Sequence, residues 1–149
     1  MRGLNSTTQA FLVVAAVGAW FLFTLRAGHD WGDDFSLYIH EAHNLAAGRP
    51  YGDTGYIQNP ANPVGPQTTP PVFPLLLAPI CLGFGLNLTA MKVLTVACIL
   101  GSLLVMFRLF RADLPDRWAV ALIAILGFNP LFWTFKDQVL SDFPFLFFA

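Results

Sequence analysis

Long uncharged apolar stretches alternate with polar segments along this chain. One stretch runs without a charge from residue 10 to residue 25, and another runs from 118 to 135. A third stretch carries a single charge, Lys92. A helix needs about 20 mainly apolar residues to cross a bilayer. We therefore predict membrane spans at about residues 8–26, 88–107 and 118–135, and the start of another at 143.

The first apolar stretch has a second interpretation, a cleaved signal peptide with Arg2 as its positive start. Cleavage requires small residues near the end of the stretch, but Trp20, Phe21 and Phe23 are bulky. An uncleaved anchor is therefore the better interpretation. At the other end of the chain, the final apolar run stops after seven residues. This predicts that the sequence is the N-terminal part of a longer membrane protein.

The segment after the first span is polar and is predicted to form a large loop over residues 27–71. Within it, apolar residues repeat at helical spacing from Phe35 to Ala47, which predicts a short amphipathic helix. Asp33 or Asp34 stands where the N-cap of that helix belongs. Residues 72–87 are apolar but interrupted by proline and glycine. We predict a short surface or re-entrant helix there, because the unbroken part is too short to cross a bilayer.

The composition excludes an ordinary soluble domain. Of the 149 residues, 56% are hydrophobic and 11% are charged, whereas soluble domains average about 25% charged residues. So few charges cannot cover the exterior of a domain of this length. The net charge of −1 provides no basic surface for nucleic acid. The predicted fold class is therefore all-α, in a polytopic membrane protein.

The distribution of basic residues predicts the orientation, because Lys and Arg in short loops stay in the cytoplasm. The N-terminus and the turn at 108–117 together hold four basic residues. The longer segments on the other side of the predicted spans hold three. This pattern predicts a cytoplasmic N-terminus and places the loop 27–71 on the outer side of the membrane.

Carboxyl groups at two separate places are candidates for chemistry. Asp33 and Asp34 open the helix of the outward loop, where one of them caps the helix or acts in catalysis, and the two roles are compatible. Asp142 heads the final apolar run on the same side of the membrane, again as a cap or as a functional acid. Two carboxylates converging above the membrane suit acid–base work on a hydroxyl. Asp137 beside Lys136 is expected to form a surface ion pair of little energetic weight.

The histidines and the outward cations are further candidates. His40 and His43 share one helix face, which is compatible with a metal, but no third ligand follows at a diagnostic spacing. We therefore expect both histidines to face solvent and predict no metal site. Arg49, Lys92 and Lys136 are cations able to hold a phosphate in an outward site. The alternative for each is pairing with neighbours or, for Lys92, extending its stem toward the membrane surface.

Four features, taken in order, resemble the start of the GT-C class of membrane glycosyltransferases. The resemblance is to the bacterial protein O-mannosyltransferase-like and the lipid A aminoarabinose or galacturonic acid transferase-like enzymes, and it covers nearly the whole chain. The features are Asp34-x-x-x-Tyr38-x-x-x-Ala42 running to Gly48-x-Pro50-Tyr51, the stretch Thr69-Pro70-Pro71-Val72-Phe73-Pro74-Leu75-Leu76-Leu77-Ala78-Pro79, the basic turn Phe107-Arg108-Leu109-Phe110-Arg111, and Leu140-Ser141-Asp142-Phe143-Pro144-Phe145.

This resemblance implies a GT-C-like helical bundle and a reaction. Asp34 falls on the family's catalytic aspartate, which acts as general base toward an acceptor hydroxyl while a polyprenyl phosphate leaves and the sugar inverts. Asp142 falls on the second functional acid, which helps to position the acceptor or the donor. The family often has Asp-Glu at the first site, but Phe35 follows Asp34 here. Asp33, which precedes it, is therefore a second candidate for the base.

The resemblance also implies substrates and a location. The donor is a polyprenyl-phosphate sugar, with Tyr38, Arg49 and Lys136 as candidate substrate or phosphate contacts. The acceptor is a lipid, glycan or protein at the outer side of the cell inner (plasma) membrane. No cofactor is certain, and a divalent metal stays open because metal dependence varies across the class. We expect this part of the protein alone to be inactive, since the donor groove normally needs later spans.

Two other functions remain as alternatives at the level of sequence. A transporter or permease fragment would carry polar or charged residues inside its spans, near the middle of the membrane. The predicted spans hold almost none. A non-catalytic membrane anchor would tolerate the loss of Asp34 and Asp142, whereas the enzyme would not.

Overall fold

The computed structural model of the chain describes residues 4–55 and 68–149, apart from the side chain of Asp33. All regular structure in these residues is helical, which confirms the predicted all-α class. Part of the predicted loop 27–71 thus lies outside the described residues. The seven helices are α1 (Ser6–Phe23), α2 (Asp33–Ala46), α3 (Val72–Phe84), α4 (Leu88–Asp113), α5 (Asp116–Gly127), α6 (Pro130–Phe135) and α7 (Asp142–Phe148).

Helices α1 and α4 are long and apolar enough to cross a membrane, with 18 and 26 residues. α4 begins where the sequence predicts but continues past residue 107, through Arg108 and Arg111. Arginine is a good helix former, and its charge is favourable near a helix C-terminus. The helix ends only where Leu114, which precedes Pro115, takes an extended conformation, as residues before proline usually do.

α1 and α4 run antiparallel. At one end, Arg111 Nη1 near the end of α4 donates to Thr7 Oγ1 at the start of α1, over 3.4 Å. At the other end, Lys92 Nζ at the start of α4 donates to the Arg26 carbonyl just after α1, over 2.8 Å. We call this second end, with α2 and α3 beside it, the loop end of the molecule.

The predicted span 118–135 is divided into two helices, so the expectation of one continuous span there needs correction. α5 has 12 residues and α6 has 6. The division falls at Asn129, whose Oδ1 accepts the Leu131 N–H over 2.8 Å and caps α6. Pro130 follows at a first-turn position, where its missing N–H is tolerated. A 12-residue helix is about 18 Å long, which is less than the hydrocarbon core of a bilayer.

The larger of two apolar clusters, which we call the membrane core, lies between α1, α4, α5 and α7. Glycines allow the helices to approach closely there. A Cβ on Gly127 of α5 would lie 2.6 Å from Val17 of α1, and one on Gly101 of α4 would lie 2.6 Å from Phe147 of α7. Small residues serve this purpose in membrane helix pairs.

A second, smaller apolar cluster holds α2 and α3 against the start of α4. Tyr38, Ile39 and Ala42 of α2 pack on α3, and Val139 from the segment before α7 completes the cluster. His40 and His43 lie on the opposite face of α2 and are exposed, as expected for an amphipathic helix. This cluster positions the two elements that form the candidate site.

Neither predicted aspartate caps α2. The helix begins at Asp33, and its N-cap is Gly32, which supplies no side chain for the purpose. Asp30 instead accepts the Gly32 N–H through Oδ1, over 2.9 Å. Asp34 therefore stands in the first turn, where a negative charge is favourable toward the helix dipole, and its side chain is exposed.

Candidate functional site

A cavity of about 470 Å³ opens where α2, α3 and α7 meet. One wall comes from α2, another from the start of α3 and the residues before it, and the third from α7 and its N-cap. Most of the lining surface is apolar, with a few hydroxyl and carboxyl groups. This composition is typical of small-molecule sites. The residues used below are Tyr38, Pro70, Val72, Phe73, Ser141 and Asp142.

Tyr38 connects the walls of this cavity. Its side chain is 6% exposed, and its hydroxyl forms a hydrogen bond with Ser141 Oγ over 2.9 Å. Its ring meets the ring of Phe73 edge-on, with centroids 5.2 Å apart. A single buried tyrosine thus touches both other walls. Asp142, which follows Ser141 directly, is held beside it.

The pKa of the Tyr38 hydroxyl is influenced by both predicted acids, Asp34 and Asp142. Burial raises the pKa of Tyr38, the Ser141 hydrogen bond acts in the opposite direction, and the charges of Asp34 and Asp142 raise it further. The charges of both carboxyl groups therefore act on the same hydroxyl, although more than 100 residues separate them. Asp142 lines the cavity, whereas Asp34 lies one helical turn before Tyr38 and is not among the lining residues. Both are exposed to solvent.

Arg49, predicted as a phosphate contact, is far from the cavity. It is exposed and lies beyond the C-terminal end of α2. The 14 residues of α2 span about 20 Å at the usual helical rise, and Asp34 lies at the other end. Among the described residues that line the cavity, none is Lys or Arg. The phosphate role of Arg49 stays a prediction that this geometry does not support.

Lys136, the other predicted phosphate contact, is fully buried. Its Nζ donates to Asp137 Oδ2 over 2.8 Å and to the Thr24 carbonyl over 2.8 Å. Asp137 Oδ1 in turn accepts the Arg26 N–H over 2.7 Å. The expected surface ion pair between Lys136 and Asp137 was wrong, because both side chains are almost completely excluded from solvent. The ammonium is committed to this structural role.

Lys92 is also buried, at 1% exposure. Its Nζ donates to the Arg26 carbonyl over 2.8 Å and to the Gly28 carbonyl. Pairing with neighbours, one of the alternatives stated for this residue, is therefore what Lys92 shows. The Lys92 ammonium thus satisfies carbonyls of the segment that follows α1. These bonds fix the first part of the connection between α1 and α2 to α4.

Glu41 of α2 is the buried acid that the sequence analysis missed. It is completely buried, and Oε1 accepts the Thr69 N–H over 2.7 Å. Its Oε2 accepts the Tyr51 hydroxyl over 2.9 Å and the Thr69 hydroxyl. Burial raises the pKa of Tyr51 to about 12. The signal was present in the sequence, since Glu41 lies three residues after Tyr38 on the apolar face of an amphipathic helix.

No group of three or more His, Cys, Asp or Glu side chains within the described ranges is arranged to hold a metal ion. The free cysteines Cys81 and Cys98 lie among apolar residues. For Asp33, the described structure gives only the backbone, so its role as the base stays a prediction outside the described side chains. The site is thus defined by Asp34, Tyr38 and Asp142.

No family model, curated protein or solved structure matches this chain. No function is therefore transferred to it from a relative. What can be said of its activity rests on the cavity, on the carboxyl groups beside Tyr38, and on the two helices that are able to cross a membrane.

Proposed function

We propose that this chain belongs to a GT-C-type membrane glycosyltransferase. It transfers a sugar from a polyprenyl-phosphate donor to a hydroxyl on a lipid, glycan or protein acceptor, with inversion. The observation that carries the proposal is that Asp142 lines one cavity with Tyr38, and that Asp34 lies one helical turn before Tyr38 on α2. These three residues are singled out in the sequence by their likeness to that class, and they come from segments far apart in the chain.

In the proposed reaction, an acceptor hydroxyl enters the cavity and a carboxylate oxygen of Asp34 takes its proton. The acceptor oxygen then forms a bond to the anomeric carbon, and the bond from that carbon to the phosphate oxygen breaks. The polyprenyl phosphate leaves with the electron pair. Asp142, on the cavity wall, orients the acceptor through a hydrogen bond. A positioned base of this kind contributes about 10²–10⁴ to a rate.

The leaving phosphate requires a cation. The described cavity wall has none, and Lys136 is bound to Asp137. The proposal therefore requires that the cation come from outside the described wall. It also leaves open a divalent metal, which would neutralise the phosphate in the same way.

The location proposed is the cell inner (plasma) membrane, in a multi-pass arrangement with the N-terminus in the cytoplasm. Several observations support it. The cavity lies at the loop end of the antiparallel pair α1 and α4, whereas Arg108 and Arg111, near the C-terminal end of α4, lie at the opposite end. Large apolar side chains also face outward from the helices, among them Leu12, Leu109 and Ile125, each more than half exposed. A lipid environment accounts for such exposure.

The test is sugar transfer by the full-length protein in membranes, with radiolabelled polyprenyl-phosphate sugars as donors. Asp34→Asn should lower transfer by about a hundredfold or more, and Asp142→Asn should lower it by a smaller factor. His40→Gln is the matched control, because His40 is an exposed residue of the same helix. Each variant is checked for insertion and accumulation in the membrane.

Other outcomes separate the alternatives. Loss of transfer in Asp33→Asn with full transfer in Asp34→Asn would move the base by one residue. Normal transfer in both Asp34→Asn and Asp142→Asn would overturn the proposed site. If the wild-type protein transfers nothing from any lipid donor, a transporter fragment or a membrane anchor becomes the better explanation.

A further inference from the structure

Glu41 occupies an unusual position for a carboxyl group. It lies on α2 among apolar residues of the second cluster and is 0% exposed. A buried carboxylate is costly unless hydrogen bonds satisfy it. Here no Lys or Arg forms an ion pair with it among the described residues. Its partners are instead the Thr69 N–H, the Thr69 hydroxyl and the Tyr51 hydroxyl.

These partners hold together two points of the chain that are distant in sequence. Tyr51 follows α2 by a few residues, and Thr69 precedes α3. The Tyr51 hydroxyl also contacts the Thr69 carbonyl, over 2.7 Å. Near the same place, Asn44 Nδ2 of α2 donates to the Asp53 carbonyl over 2.8 Å. Side chains of α2 thus form hydrogen bonds with residues at both ends of the segment between Tyr51 and Thr69.

Thr69 is followed at once by the cavity wall. Pro70, Val72 and Phe73 line the cavity, and Pro71 between them is the N-cap of α3. Because a Thr-Pro-Pro sequence has few backbone conformations, fixing Thr69 fixes the direction in which α3 begins. Glu41 is therefore linked to the wall through one residue.

Tyr38 and Glu41 act on this wall from the same face of α2. Tyr38 packs on Phe73 with ring centroids 5.2 Å apart, while Glu41 binds Thr69. Tyr38 lines the cavity, whereas Glu41 does not. This division distinguishes a residue that touches a ligand from one that places the wall.

We propose that Glu41 is the positioning residue of this cavity, setting the wall formed by Pro70, Val72 and Phe73 through its bonds to Thr69 and Tyr51. The expected effect on substrate binding rests on the proposed function, whereas the placement of the wall by Glu41 does not. Glu41 itself touches no substrate. Its loss displaces the wall, which weakens substrate binding while the base and the reacting atoms stay in place.

The test uses the full-length protein in membranes and two measurements. Hydrogen exchange reports whether the Thr69 and Leu75 amides, which donate to Glu41 Oε1 and to the Pro71 carbonyl, lose protection, without any need for activity. Transfer kinetics report KM and kcat separately. In Glu41→Gln, the single amide oxygen can accept at only one of the two positions that the carboxylate oxygens hold, so either the Thr69 N–H or the Thr69 and Tyr51 hydroxyls lose this acceptor. We expect faster exchange at these amides and a KM raised about tenfold, the effect of one buried unsatisfied group, with kcat within about threefold.

Matched variants keep the result interpretable if Glu41→Gln does not fold. Thr69→Val removes the hydroxyl donor and should raise KM, whereas Thr69→Ser keeps the hydroxyl and should restore it. Tyr51→Phe removes the remaining side-chain donor and should give an intermediate effect. His40→Gln, one residue before Glu41 and exposed, should change neither exchange nor KM.

The outcomes separate this inference from the proposed function. Normal exchange at the Thr69 and Leu75 amides in Glu41→Gln would overturn the positioning role whatever the activity. Faster exchange with unchanged KM would also overturn it, because the wall would then not govern binding. If the wild type transfers no sugar but Glu41→Gln and Thr69→Val both release these amides, the proposed function fails and the placement of the wall by Glu41 stands.

Discussion

The membrane core and the loop end of this molecule are held together by different forces. In the membrane core, apolar side chains of α1, α4, α5 and α7 pack directly against one another. Where the helices come closest, a glycine makes the contact possible because it has no side chain, as at Gly127 against Val17. Attraction here is the sum of many small dispersion contacts. It depends on volume and shape and needs no specific partner.

The loop end is held by buried polar groups with defined partners. Lys136 is matched by Asp137 and a carbonyl, Lys92 by two carbonyls, and Glu41 by Thr69 and Tyr51. Each group is expensive to bury without its partner. A network of this kind rigidifies a site when it is complete and fails when one member is lost.

The difference matters because the candidate site lies at the loop end. Apolar packing tolerates shifts of helices at modest cost, whereas hydrogen-bonded charges specify one arrangement. A site that joins carboxyl groups from α2 and α7 requires the second kind of restraint. The same comparison predicts how the two regions respond to substitution, and three experiments test it, beginning with the largest expected effect.

Removal of one buried charge should affect stability most. Lys136→Met fills a similar volume but leaves the buried Asp137 with only the more distant, exposed Arg26 guanidinium, 3.8 Å away, and we expect a loss of about 3–5 kcal/mol. The double variant Lys136→Met with Asp137→Leu should recover most of that loss, because well-packed apolar pairs often replace buried ion pairs without cost. Thermal unfolding of the full-length protein in detergent measures both. Equal destabilisation in the single and double variants would contradict the account of the loop end.

A methyl group added to the membrane core should have a smaller effect. In Gly127→Ala, the new Cβ lies 2.6 Å from Val17 Cγ2 and 3.1 Å from Leu103 Cδ1, and overpacking of this kind costs about 1–3 kcal/mol. Gly83→Ala is the matched control in α3, because nothing lies within 4 Å of its Cβ position. It should be neutral or stabilising by up to about 1 kcal/mol, from helix propensity. The same thermal unfolding assay applies, and equal effects at the two glycines would mean that close packing is not what limits Gly127.

The comparison also explains what the sequence could and could not predict. The helices of the membrane core follow from apolar stretches, so the class and the starts of α1 and α4 are predictable within a few residues. The break inside 118–135 was marked by Asn129 and Pro130, whose effect on the span was underestimated. These are local signals, and local signals determine helices.

The loop end depended on contacts that no local pattern reports. Lys136 looks like a surface residue because Asp137 follows it, but the partner that buries it is Thr24, more than 100 residues away. Asp34 and Asp142 were candidates from the sequence itself and from the resemblance, but that both charges act on the Tyr38 hydroxyl required the fold. Glu41 was visible as an acid on an apolar face, yet Thr69 as its partner required the fold.

The smallest expected effect is a dependence of stability on pH at the loop end. The ring nitrogens of His29 are buried and have no hydrogen-bond partner. Burial lowers the pKa of His29 and the charge of Lys92 lowers it further, while the Asp137 backbone and the charge of Asp30 act in the opposite direction. The unfolded chain, with a pKa near the usual value of about 6.5, thus binds a proton at a higher pH than the folded protein does. Stability is therefore complete above pH of about 6.5 and falls as the pH is lowered below it.

His29→Gln should remove this loss between pH of about 7.5 and 5, because the amide does not titrate, while His40→Gln at an exposed position of α2 should leave it unchanged. Unfolding temperatures of the full-length protein across that range provide the measurement. The expected loss is smaller than that in Lys136→Met, since His29 is only partly buried and gains a charge only as the pH falls. Two results would contradict this prediction: a wild-type unfolding temperature that does not change with pH, or a His29→Gln protein that loses stability as the wild type does. Either would show that the imidazole is hydrated in the folded protein. The loop end would then be less closed around Lys92 than the comparison requires.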